Sequence, residues 1–416
     1  MADHNDEVTA HLSVPRFAPP PIPSAMQEPK HRGDPRKLDI DFQVPYRHRL
    51  RFTDDCLGSD WEVVESLMEG SEGGAARVQC WVDQGVSDAD PRLIERLEER
   101  LGGSDRLQAT GPVRWLEGGE EVKNQSRWVD SVFEAIDAEG LDRRSYILVV
   151  GGGAVLDAVG YAAAIAHRGI RLVRIPTTTL AQGDSGVGVK NAINAFGKKN
   201  WKGTFAVPWG VVNDARLLEL LPDRDFRCGF SESVKVALLK DSEFFQWLHR
   251  NARHIADRKA LPVREALQRS VTLHLMHITR GGDPFESREA RPLDFGHWSA
   301  HKLEGLSRYR LRHGEAVAIG VALDTAYSTL AHGLPPEVLD QTLQALGQLG
   351  LPVFDPLLDH PQLVDGLEEF RQHLGGRLTL TMLTGVGQPI DVHQVDSQRM
   401  KDAIALLSTR CREVTC

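Results

Sequence analysis

The chain is 416 residues long, 26% charged and 41% hydrophobic, with a formal net charge of −9. That length exceeds one small core and predicts two domains, and the acidic balance speaks against a general nucleic-acid or anionic-membrane binder. The longest apolar runs, such as 146–150 and 162–166, fall far short of the roughly 20 residues a membrane helix needs. The first residues carry acidic groups and no apolar signal core. The five cysteines are scattered without a CxxC pair, which fits a reduced, cytoplasmic setting, with Cys411 and Cys416 read as tail thiols.

Residues 1–45 are rich in proline and charge (RFAPPPIPSAMQEPKHRGDPRK) and read as a flexible extension. Beyond them the pattern alternates. It predicts a strand at 46–53, a helix at 61–69, a strand at 76–82, a helix at 91–101, a strand at 113–116 and a helix at 126–139. A compact apolar strand at 145–150, a glycine turn at 151–153, a helix at 154–167 and a strand at 172–175 follow. Strands alternating with helices imply a parallel sheet covered on both faces, so 46–215 reads as an α/β domain. Helical spacing then dominates 216–221, 229–240, 242–256, 262–280, 297–305, 314–332, 335–349 and 396–408, with a short hairpin strand at 378–383. The segment 216–416 therefore reads as a mainly helical domain.

Three motifs carry chemistry. YILVVGGGAVLDAVGYAAA is strand, glycine turn and helix, a geometry that lets backbone amides and a helix N-terminus approach a phosphate. Its spacing is not GxGxxG, and a plain tight turn is the alternative. Upstream, Glu120 and Lys123 can share one helical face, or simply form a solvated ion pair. Second, PTTTLAQGDSGVGVKNAINAFGKKNWKGTF follows a strand and gathers Asp184, Lys190, Asn194, Lys198, Lys199 and Asn200 at its C-terminal end, where open α/β sheets bind ligands. The plain alternative is a charged surface hairpin. Arg168, just before that strand, is a further candidate for a phosphate, or an exposed arginine at a helix end.

Third, LDFGHWSAHKLEGLSRYRLRHGEAVAIG places His297, His301 and His313 close together. In GFSESVKVALLK, Glu232 and Lys235 lie on one helical face. A glutamate on a buried face needs a partner. Glu232, one histidine of the HWSAH pair and His313 would make a two-histidine, one-carboxylate divalent-metal site with open positions, which is a catalytic arrangement.

The ordered series GGGAVLDAVG, HRGIRLVRIPTTTLAQGDSGVGVK, GKKNWKGTF, LPDRDFRCGFSESVK, LDFGHWSAHKLE and RHGEAVAIG resembles the sugar phosphate cyclases, the group of 3-dehydroquinate synthase and the C7-cyclitol synthases. The likeness spans roughly residues 45 to 390. It implies an N-terminal Rossmann-like NAD-binding α/β domain and an all-α C-terminal metal-binding domain. It places metal ligands (zinc or cobalt) on Glu232, His297 and His313, and a substrate contact on His301. Asp184, Lys190, Lys199, Asn200 and Lys235 match substrate-binding or catalytic positions. Arg168 matches an arginine that reaches a neighbouring subunit's phosphate site, implying a homodimer. Cofactor contacts fall on Asp83, Glu120, Lys123, Gly152, Gly153, Asp157, Thr177 and Thr178.

The departures bear on substrate. Dehydroquinate synthases read GGKTGVN where this chain has GVKNAIN, and asparagine where it has Asp294. A lysine of theirs falls on Met276, an arginine on Ala290 between Arg288 and Arg291, and a late lysine near Arg371. Loss of cations leaves a buried substrate carboxylate unpaired. Asp294 would repel a carboxylate and accept bonds from hydroxyls. The pattern is closer to the C7-cyclitol synthases, such as 2-epi-5-epi-valiolone or 2-epi-valiolone synthase, which act on sedoheptulose 7-phosphate. The resemblance thus implies a redox-neutral lyase: transient oxidation of a ring hydroxyl, phosphate elimination, return of the hydride and an aldol closure. The alternatives are dehydroquinate synthase itself, an NAD-dependent polyol dehydrogenase on the same fold, and a silent cyclase-like binding protein.

Overall fold

The computed structural model describes Ile40 and residues 42–414, except 197, 282, 287–290 and 374–375. Nearly all of the proline-rich extension, Arg288, Ala290 and Cys416 lie outside the described residues. Everything that follows belongs to one compact unit beginning at Arg47.

The first half runs β1 (Leu50–Thr53), α1 (Trp61–Glu65), β2 (Ala76–Asp83), α2 (Gln84–Ala89), α3 (Leu93–Gly102), β3 (Leu107–Ala109), β4 (Arg114–Leu116) and α4 (Ser126–Ala138). It continues with β5 (Tyr146–Gly151), α5 (Gly153–Ile165), β6 (Arg171–Pro176), β7 (Lys190–Ala195), β8 (Lys198–Phe205) and β9 (Gly210–Asp214). Seven strands form one sheet in the order β1-β9-β6-β5-β2-β3, with β4 also beside β2. Every pairing in it is parallel. β5 is buried throughout, and its side chains alternate between two cores. Tyr146, Leu148 and Val150 meet Trp61, Val64, Leu93 and Leu97 on one face. Ile147 and Val149 meet Val132, Ile136, Val155 and Val159 of α4 and α5 on the other. A strand covered on both faces is apolar at every position, which is why YILVV shows no alternation.

The second half contains α6 (Asp223–Cys228), α7 (Phe230–Lys240), α8 (Ser242–Ala256), α9 (Ala260–Arg280), α10 (His297–Leu306), α11 (His313–His332), α12 (Pro336–Gln348), α13 (Asp365–His373), the antiparallel pair β10 (Leu380–Gly385) and β11 (Gln388–Val392), and α14 (Ser397–Val414). They share one core that includes Phe230, Trp298, Val317, Leu346 and Leu407. Apart from Glu315, α11 is buried from Gly314 to Ser328, as expected of a helix apolar nearly all round.

Several expected elements shift. The first strand starts at Leu50 rather than 46, and the helix expected from 229 is preceded by α6. The segment 216–220 is a 3-10 turn, and α5 stops at Ile165, where residues 166–168 turn with His167 at φ 51°. In the polar segment after β6, β7 and β8 pair as an antiparallel hairpin, the plain alternative for this stretch. α2, α13, β3 and β9 carry too few residues for their periodicity to stand out.

Candidate active site

In parallel sheets the strand C-termini form one edge, and the chain crosses it repeatedly here. Thr179, after β6, donates its hydroxyl to Phe226 O (2.7 Å) and accepts from Gly229 N (3.2 Å). That contact docks the start of α7 against the edge and brings Glu232 to it. Glu232 is 2% exposed. α10 and α11 approach with glycine facing glycine. Gly296 has φ 78°, and a Cβ there would lie 2.6 Å from Val321 N. The buried Asp324 carboxylate holds this turn by accepting from Gly296 N and Trp298 Nε1, both at 2.8 Å. Burial outweighs those two bonds and pushes its pKa up to about 7. His297 and His313 thus become the first residues of two crossing helices.

Their Nε2 atoms converge on one oxygen. Glu232 Oε1 lies 3.5 Å from His297 Nε2 and 3.7 Å from His313 Nε2. Four donors about 2.1 Å from a tetrahedral zinc stand about 3.4 Å apart, so the spacing fits such an ion. The fit extends outward. His297 Nδ1 meets Phe295 O at 3.1 Å and His313 Nδ1 meets Glu304 Oε2 at 3.1 Å. Both rings are held by their far nitrogens, as metal-binding histidines usually are. Glu232 Oε1 is buried with no hydrogen-bond partner, an orphan a cation would satisfy. Burial opposes a charge on His313, yet Glu304 and Glu232 outweigh it and push its pKa up to about 10. The cluster is built for positive charge.

Lys235 Nζ lies 2.5 Å from Glu232 Oε2, and both side chains are buried. Burial would discharge the lysine, but Glu232 and Asp184 hold its pKa above the usual value. His301 is exposed and stands outside the Glu232 trio, its ring 5.5 Å from His297 and 6.0 Å from His313. It groups instead with Glu304 and His313. Asp184 pairs with His274 Nδ1 at 2.7 Å. Asp294 feels Lys190, His297, Arg291 and Lys235, which hold its pKa below the usual range against the effect of burial. Lys190 pairs with Glu286, which Arg291 also approaches at 3.6 Å.

The glycine turn is tightly packed. A Cβ on Gly153 would meet Ser185 Oγ at 2.7 Å. α5 has no side-chain cap on its N-terminal amides, and the hydroxyls of Thr177 and Ser185 are buried without partners beside it. Free amides and orphaned hydroxyls fit a phosphate-bearing cofactor. Asp83 uses both oxygens on backbone, accepting from Gly85 N (2.9 Å) and Gly152 N (3.2 Å), so it braces the turn. Thr178 Oγ1 accepts from Ala181 N at 3.1 Å. Lys123, 4% exposed, donates to Asp157 at 2.8 Å and also to Asn200. Asn194 donates to Glu120 (3.0 Å) and accepts from Asn200 N (2.8 Å). The hairpin is therefore fastened to the cofactor edge. Lys199 extends from it to Glu304 at 2.9 Å.

The plain alternative for Glu120 and Lys123, a solvated ion pair, does not form: Lys123 donates to Asp157 and Asn200, and Glu120 accepts from Asn194. Arg168 is exposed and follows the far end of α5, a helix of 13 residues, so it stands about 20 Å from the glycine turn. The structure does not bring it to this site within one chain. Glu304, His274 and Glu286 escaped the sequence reading. Glu304 alone had a signal there, seven residues after His297 on the same helical face.

Models of two families match the chain: the 3-dehydroquinate synthase N-terminal domain over residues 114–228, and its C-terminal domain over 229–369. Among curated relatives, the 2-epi-5-epi-valiolone synthase of Streptomyces glaucescens is 35% identical over 327 residues, 76% of this chain and 83% of that protein. The 3-dehydroquinate synthase of Paracoccus denitrificans is 34% identical over 339 residues, 80% of this chain and 90% of that one. Among solved structures, 2-epi-5-epi-valiolone synthase from Streptomyces hygroscopicus subsp. jinggangensis, with NAD+ and Zn2+ bound, aligns with a TM-score of 0.79 at 26% identity. That alignment covers 90% of this chain and all of the other.

Proposed function

The chain belongs to the 3-dehydroquinate synthase family of sugar phosphate cyclases, and from that premise we propose that it is an NAD- and divalent-metal-dependent lyase that closes a C7 sugar phosphate, sedoheptulose 7-phosphate, into a cyclitol. Glu232, His297 and His313 would hold the ion, and the glycine turn with Asp83, Glu120, Lys123, Gly152, Gly153, Asp157, Thr177 and Thr178 would hold NAD. Bound there, NAD supplies reversible hydride transfer and the ion Lewis acidity. The remaining roles belong to side chains. Lys190, Lys199 and Asn200 hold the phosphate. Lys235 and His301 orient hydroxyls and move protons at the ring. The His274–Asp184 pair offers a further proton acceptor. Arg168 would serve the phosphate only from a second copy, so we read the active form as a homodimer, working in the cytoplasm.

The observation that favours a substrate without a carboxylate is the fate of the cations. Arg291 approaches Glu286 at 3.6 Å, Arg371 pairs with Glu368 on the exposed face of its own helix, and Asp294 adds a negative charge beside Lys190 and Arg291. A substrate carboxylate would find acids where it needs bases. The second reading, dehydroquinate synthase, rests on relatives of equal identity. Phosphate release followed beside absorbance at 340 nm tests the reaction class. Inorganic phosphate without net NADH is expected; NADH accumulating without phosphate would mean a polyol dehydrogenase.

A further inference from the structure

Glu304 joins two regions that otherwise have separate tasks. It is 3% exposed, and each oxygen has its own partner: Oε2 meets His313 Nδ1 at 3.1 Å, and Oε1 accepts from Lys199 Nζ at 2.9 Å. His313 turns its other nitrogen to Glu232. Lys199 belongs to the hairpin strand β8, keeps 26% of its side chain exposed, and has Glu120 at 3.8 Å as a second carboxylate. An unbroken path of contacts therefore runs from an accessible ammonium to a metal-facing imidazole.

We propose that Lys199 couples anion binding at the hairpin to the affinity of the metal centre, through Glu304 and His313. A carboxylate on the far nitrogen of a metal-bound histidine makes that imidazole a better ligand. Lys199 draws off part of the carboxylate's charge and places a positive charge near the ion. Both effects weaken the site. An anion that engages Lys199, such as a phosphate group, returns the charge to Glu304 and tightens the metal. By linkage the metal tightens the anion equally. A sugar phosphate would then strengthen the ion that processes it, and release of phosphate would relax it.

The inference rests on reading Glu232, His297 and His313 as the metal site. The test is equilibrium binding of cobalt(II) at chelator-buffered concentrations, followed by visible absorption, with and without inorganic phosphate. In the wild-type protein phosphate tightens cobalt several-fold. Lys199→Met binds cobalt more tightly than wild type without phosphate and no longer responds to it. Glu304→Gln binds about 10–100-fold more weakly. The opposite signs matter, because damage to a merely structural ion pair weakens both variants. Weaker binding by Lys199→Met, or a wild-type response below about twofold, overturns the coupling. His313→Ala separates the two readings: wild-type cobalt binding in that variant sinks the metal site itself, whereas lost binding beside an unresponsive wild type sinks only the coupling.

Discussion

Charge is settled differently at the two ends of the site. At the glycine turn the described ionic groups satisfy one another. Lys123 meets Asp157 and Asn200, Asp83 meets two backbone amides, and Glu120 meets Asn194. At the metal centre two imidazole nitrogens and one glutamate oxygen are aimed but unspent, while the other oxygen of Glu232 pairs with Lys235. Two imidazoles held by their outer nitrogens face a glutamate oxygen that accepts nothing. The first region resembles a finished scaffold that offers amides and hydroxyls to a ligand. The second is a set of donors whose cost of burial is offset only when a cation arrives.

The comparison can be broken by substitution. The largest effect expected is from His313→Ala: metal content measured on purified protein falls to background and turnover vanishes, while the fold persists. Retained metal would remove His313 from the centre. Gly296→Ala comes next, since its φ of 78° and the 2.6 Å approach to Val321 N leave no place for a methyl group. A loss of ~3 kcal/mol or more in denaturant unfolding is expected, with weaker metal binding beside it. A third prediction uses pH. Burial raises the Asp324 carboxyl from its ordinary 3.8 to about 7 in the folded state. A raised carboxyl favours its protonated, folded form, so its contribution is present below the unfolded pKa and lost as pH rises through the folded one. The stability of wild type relative to Asp324→Asn should fall by a few kcal/mol, on the order of 1.4 per unit, between about pH 4 and pH 7. A constant difference across that window would contradict the assignment. The smallest effect is expected from Lys123→Met, which frees Asp157 and Asn200 and should weaken NAD roughly tenfold in calorimetry.

Legibility in the sequence followed how local each feature is. YILVVGGGAVLDAVG announces a buried strand, a turn and a helix because all three lie in one stretch, and β5 and α5 occupy it. Glu232, His297 and His313 lie on three helices, yet each stands at a recognisable helix face or start, and the fold brings them within ligand distance of one another. Their outer partners were harder to read. Glu304 shares a helical face with His297, but its role depends on α11 placing His313 beside it. His274 meets Asp184 only because α9 packs along the residues after β6. The sequence offers the hairpin only as an alternative, because its strand β8, KKNWKGTF, is mostly exposed and shows no buried period.

The central claim, a cyclase for a sugar phosphate without a carboxylate, is tested most directly by direct competition. With NAD+ and a divalent metal present, sedoheptulose 7-phosphate and the carboxylated shikimate precursor are supplied separately and together, and phosphate release is measured. Arg291 beside Glu286, Arg371 on Glu368 and the negative charge of Asp294 predict turnover of sedoheptulose 7-phosphate and little inhibition by the carboxylated sugar. Turnover of the carboxylated sugar alone would contradict the account.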